Sequence, residues 1–434
     1  MHALNRNLNN GQEQGIVFVR RLLAWLAGTL LVLVLAAGGL LLAAFERQAL
    51  VSRPATITPE SIAQARRLLL TNDPRRLQAG EVRRTVIPAG LLDAAVNYAA
   101  TRFANGRGAL MLAGTQAELR LSLQPAWLAG TGHLNIAATL RSAAGLPAIA
   151  SLRLGSLPLP SALAEPLLGL LLASVGYGRE WHLARQAIRE VRFEGDYRRI
   201  IVGYIWQPAL LEHARSLAVA PPEQELIRIA QSNLAGLLAA RAPGSRIPLE
   251  KVLGPLLAAD DTLAGRRATL LVLAAFLAER NLATLLPEAA AWTRVQPLQL
   301  TLAGRYDSAQ HFVISAALAA WAGEPLAEAI GLYKELADAR HGYGFSFADL
   351  AADRAGTSFG ELLLSRSPEL DQLLGTDFTD TDLLPPLDGL PEYLRQREFH
   401  QRYGGPGNPA YDRLIAEIER RLLALPLYRR NGAS

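Results

Sequence analysis

The residues able to do chemistry are crowded between Asp307 and Gly360. Asp307, His311, Glu328, Lys334, Glu335, Asp338, Asp349 and Asp353 recur there at helical spacings, in a chain otherwise rich in alanine, leucine and arginine. Lys334 is one of only two lysines among 44 basic residues. Carboxylates and imidazole ligate Mn, Fe, Zn or Mg, and helical bundles build metal sites from side chains on facing helices. Crowded carboxylates also push each other's pKa values apart, which supplies an acid and a base. The catalytic candidates are therefore His311, Lys334, Glu335, Asp338, Asp349 and Asp353. A divalent metal, as the one cofactor this chemistry suggests, would draw on His311, Glu335, Asp338, Asp349 and Asp353.

Three helices must position these groups. The first is expected from Asp307, as N-cap, to Ala322, stopped by Gly323. The second opens at Glu324-Pro325 and ends at Gly342, with Arg340 and His341 in its last turn. The third opens at Ser346 and runs to about Leu364. Residues three, four and seven apart share a helix face. Asp307, His311 and Ser315 line one face, Glu328, Gly331, Glu335 and Asp338 a second, and Asp349, Asp353, Gly356 and Gly360 a third. The glycines let neighbouring helices approach closely.

A structural role accounts for several of the same residues. Ser346 to Asp349 reads S-x-x-D, a helix-capping pattern. His341 complements a helix C-terminus, and Asp338 or Asp353 paired with Lys334 or an arginine is a structural ion network. Gly356-Thr357-Ser358-Phe359-Gly360 matches G-x-S-x-G, but a nucleophile elbow requires a strand before its serine, and the residues here are helical in pattern. The pattern Asp307, His311-Phe312, Lys334-Glu335, Asp338, Gly344-Phe345-Ser346, Asp349-Leu350, Asp353 and Gly356 resembles that of small, uncharacterised proteobacterial envelope lipoproteins. That resemblance spans about 50 residues and implies an envelope location without an activity. This chain has no cysteine to lipidate.

The whole chain narrows the classes. Its 434 residues and 50% hydrophobic content allow two or three domains with large cores. A net charge of +5 is small for this length, and no arginine run is interleaved with aromatics, so no nucleic-acid partner is expected. Without cysteine there are no disulfides, thiolate sites or cysteine nucleophiles. Leu22 to Phe45 is a run of 24 residues without a charge, preceded by Arg6, Arg20 and Arg21 against Glu13. It is long enough to span a bilayer and too long for the apolar core of a cleaved signal peptide. An uncleaved inner-membrane anchor is expected, with residues 1–21 cytoplasmic and the bulk periplasmic.

The expected fold class is α+β: one N-terminal transmembrane helix, an antiparallel-sheet module over residues 58–217, and a mostly helical domain over 223–434. The module is read as helices from Thr58 to Leu70 and Pro88 to Phe103, with strands at Glu81–Ile87, Ala109–Leu112, Ala117–Leu123, Leu134–Leu140 and Ala148–Leu154. Helices at Ser161–Ser174 and Glu180–Ile188 follow, and a hairpin from Val191 to Trp206 turns at Gly195-Asp196. The apolar Pro166–Gly176 helix covers the sheet or lines a lipid-sized groove. Ala218 to Pro222 is the boundary. Beyond it lie helices at Glu223–Arg241, Pro248–Ala258 and Ala264–Ala283, a short strand at Pro297–Leu302, a solvated acidic loop at Asp377–Asp388, a last helix from Asn408-Pro409 and a loose basic tail. The function expected is binding or structural in the cell envelope, with a protein or lipid partner. The alternative is a metal-assisted hydrolase whose site is the polar stretch.

Overall fold

The computed structural model describes residues 45–72, 78, 80–124, 132–174, 178–207, 221–284, 286–323 and 344–429. The architecture is α+β with antiparallel sheets. The chain forms two compact units. One holds Ala95–Val202 with the described residues up to Arg53, and the other holds Pro54–Ala94 with the chain from Gly203 onward. The expected membrane span lies outside the described residues except for Phe45, which is in a two-residue strand. Among the described residues no helix is long and apolar enough to cross a membrane.

The first unit is built on a sheet of six strands. Arg107–Ala113, Gln116–Leu123, His133–Arg141, Ala148–Leu154 and Leu157–Leu159 follow one another, and Phe45–Glu46 pairs with the start of His133–Arg141. Gly114, at φ 55°, makes the expected first hairpin. The expected hairpin from Val191 to Trp206 belongs to a second sheet. There Ile188–Glu194 lies between Ala143–Ala144 and Arg199–Ile205. The helix Ser161–Ser174 packs against Ala148–Leu154 and the helix Gly178–Ala187, with Leu170 left exposed.

In the second unit, Thr58 caps the helix Pro59–Thr71 by accepting from Ser61 N–H, and at the start of the strand Val82–Pro88 the Trp206 N–H donates to Glu81 O at 2.8 Å. The main core draws chiefly on the helices Pro221–Leu238, Glu250–Ala259, Leu263–Leu277, Tyr306–Ala322 and Phe347–Ser365, which contribute the fully buried Leu234, Leu253, Leu273, Phe312 and Phe359. Between them Arg246–Pro248 pairs in parallel with Gln299–Thr301. Three residues are too few to show a strand's alternation, so the first of these was not legible. A smaller core joins Phe345, Phe347, Phe399 and Tyr411.

Two expectations for the C-terminal third are corrected. The acidic loop is ordered by a short helix, Asp380–Leu383, whose cap pairs Thr379 with Asp382. The tail is not loose through Arg429, because Leu427 and Tyr428 are buried and the Tyr428 hydroxyl donates to Leu383 O at 2.9 Å. Two apolar side chains outweigh the flanking arginines.

Candidate functional site

Two helices carry the site. The histidine helix, Tyr306–Ala322, starts one residue before Asp307 and stops at Gly323, where φ is 90°. Asp307 is therefore not the N-cap; Arg305 holds that position, and the Asp307 carboxylate accepts from Ser308 N–H at 2.8 Å. The aspartate helix, Phe347–Ser365, is capped by Ser346, whose Oγ accepts from Asp349 N–H at 3.0 Å. Its glycines do what their placement implied. A Cβ at Gly356 would lie 2.0 Å from Phe312 O, and one at Gly360 2.4 Å from Ala316 O. The backbones are in contact, and Phe312 meets Phe359 with ring centres 5.4 Å apart.

That contact brings together His311, Asp349 and Asp353. His311 and Asp353 are each 5% exposed. The Asp353 carboxylate accepts from His311 Nδ1–H at 3.1 Å and from the Ser315 hydroxyl at 2.7 Å, both on Oδ1. Its Oδ2 is buried without a hydrogen-bond partner among the described residues. His311 Nε2 stands 3.7 Å from Asp349 Oδ2. Proton placement on one nitrogen follows from acceptor chemistry: a carboxylate only accepts, so the ring carries a proton on Nδ1, toward Asp353. Ser315 is not a nucleophile here, since its hydroxyl is given to Asp353 rather than to the histidine.

A cationic clasp closes one end. Arg305 reaches Asp307 at 2.8 Å, Glu392 at 2.7 Å and Asp349 at 3.7 Å. Its hydrogen bonds to Asp307 and then Glu392 raise its pKa above the ordinary guanidinium value, and the same bond holds the Asp307 carboxyl below the usual carboxylate range. Arg305 and Glu392 are 87 residues apart, so no local pattern announced the pair.

Lys334, Glu335 and Asp338 lie outside the described residues, together with the whole expected helix from Glu324 to Gly342 and its Glu328 and His341. Among the described residues no group of three or more His, Asp or Glu side chains is placed to hold a metal ion. Ser358 and its flanking glycines sit in mid-helix, which rules out a nucleophile elbow.

A second carboxyl pair was not foreseen. Glu250, 9% exposed, is hydrogen-bonded to Asp380, and burial followed by that neighbour pushes its pKa up to about 7. Asp380 Oδ2 also accepts from Ala303 N–H at 2.7 Å, and Lys251 pairs with Asp377 at 3.0 Å. Glu250 sits in the first turn of its helix, a position where an acid ordinarily complements the backbone dipole, so its sequence context carried no signal.

No family model, curated protein or solved structure matches this chain.

Proposed function

We propose that this is a single-pass inner-membrane protein, anchored by residues 22–45, with residues 1–21 cytoplasmic, the rest periplasmic, and a binding or structural role in the cell envelope. The uncharged run and the arginines before it support the anchor. The resemblance to envelope lipoproteins belongs to the same reading.

The observation that carries a non-catalytic role is the backbone contact at Gly356 and Gly360. It packs the aspartate helix directly on the histidine helix, and among the described residues His311 and Ser315 turn their polar groups on Asp353. A buried polar network of this kind can fix the register of two helices. The topology is tested by fusing alkaline phosphatase to the C-terminus. An active phosphatase is expected; an inactive one beside an active cytoplasmic reporter at the same position reverses the orientation.

One observation favours a metal-assisted hydrolase as the second reading. His311 Nε2 and Asp349 Oδ2, 3.7 Å apart, have the separation of two ligands on one ion. Asp353 on Nδ1 then orients the imidazole, as carboxylates do behind metal-bound histidines. Two such ligands fall short of a site, and Glu335 and Asp338 are the sequence candidates for the remainder.

A further inference from the structure

This inference rests on the anchor reading and refines it. We propose that the end of the six-stranded sheet bearing His133, Leu134 and the Gly155-Ser156 turn lies against the phospholipid headgroups of the membrane in which the chain is anchored. The uncharged run ends at Phe45, and Phe45 is already part of the sheet: it pairs with Leu134, and Glu46 pairs with His133. Antiparallel partners have Cα atoms about 5 Å apart, and an extended residue adds at most about 3.5 Å. A span that ends within one or two residues of Phe45 therefore holds Leu134 roughly 10–15 Å or less from the bilayer's edge.

No slack follows. Asn135 Nδ2 donates to the Glu46 carboxylate at 2.5 Å and to Gln48 O at 2.8 Å, while its Oδ1 accepts from Leu50 N–H at 3.0 Å. Ser122 Oγ accepts from Val51 N–H at 2.9 Å and donates to Asn135 Oδ1 at 2.7 Å. Asn135 and Ser122 are 3% and 2% exposed. Peeling residues 46–51 away would strand these buried polar groups, which is costly. Gly155 N–H donates to Asn135 O at 2.7 Å, so the turn at Ser156 shares this end of the sheet.

The charge at this end suits anionic headgroups. Arg47 is exposed; Arg107, level with Ser122 in the strand register, is half-buried and donates to the backbone carbonyls of Arg53 and Gly106, so Arg47 is the cation free to meet a headgroup. Neither has a carboxylate partner among the described residues, and the local acid, Glu46, is engaged by Asn135. Leu50 is exposed beside them. A lipid surface accepts both the cation and the apolar side chain.

The chain has no cysteine, so single labels are clean. Full-length Gln48→Cys and Ser156→Cys chains, labelled with a fluorophore, are placed in phosphatidylethanolamine–phosphatidylglycerol vesicles containing a headgroup nitroxide lipid. Ser156 is far from the anchor in sequence, so its quenching reports docking of the sheet itself. Quenching at both positions is expected. Quenching at Gln48 without quenching at Ser156, or at neither, in a chain that carbonate washing leaves on the vesicles, overturns the docking and leaves the anchor standing. Release of the chain by the wash removes the anchor reading, and this proposal with it.

Discussion

Asp353 receives two hydrogens on one oxygen, from His311 and from Ser315, and the energetics of the site follow from that. Ser315→Ala removes one buried hydrogen bond and should cost about 1–2 kcal/mol in a denaturant titration. His311→Ala leaves a buried carboxylate with less compensation and should cost about 3 kcal/mol or more. The second comparison separates the two functional readings. For a structural network, the loss on His311→Ala is the same with and without chelator. For a metal site, chelator lowers the stability of the parent chain but not that of the variant. Glu250 gives a pH signature of its own. Its folded pKa is about 7, raised from 4.5, so the folded state binds the proton more tightly. That contribution is complete below the unfolded value and is lost as pH rises through about 7. Stability should therefore fall between pH 5 and pH 8, by up to about 3 kcal/mol, and Glu250→Gln should flatten that part of the profile.

At the scale of elements, the close approach of the histidine and aspartate helices depends on two positions without a side chain. Gly356→Ala would place a methyl against a backbone carbonyl, which cannot rotate away as a side chain can. The helices must separate, and His311 loses its place beside Asp353. A loss of about 3 kcal/mol or more in thermal or chemical unfolding is expected. Ser358→Ala, in the same five-residue motif, should change stability by less than about 1 kcal/mol, because Ser358 is only partly buried. Equal losses for the two substitutions would show that the helices are not in contact at Gly356.

On the scale of the whole molecule, the main core of the second unit draws its buried members from Ile227 to Tyr428 and, among the described residues, takes none from 54–94. A fragment of residues 223–434 should consequently fold alone, with a helical circular-dichroism spectrum and one cooperative melt. A fragment that aggregates or melts without cooperativity would show that Pro54–Ala94, which belongs to the same unit, is needed to complete it.

The sequence by itself determined the α+β class, most elements and several helix caps, though not that of the histidine helix, where Arg305 rather than Asp307 is the N-cap. Thr58, Ser346 and Asn408 accept hydrogen bonds where their positions implied, because capping and periodicity are local and short-range. It also grouped His311, Glu335, Asp338, Asp349 and Asp353 around one point; His311, Asp349 and Asp353 do meet, while Glu335 and Asp338 lie outside the described residues. Only the tertiary structure decided that Ser315 serves Asp353, that Arg305 ties Asp307 to Glu392, and that Glu250 meets Asp380. Those partners are 38, 87 and 130 residues apart. Burial then decides what they are: the same carboxyl is a solvated acid at a helix start or a proton-holding group in a core, and nothing in the flanking residues distinguishes the two.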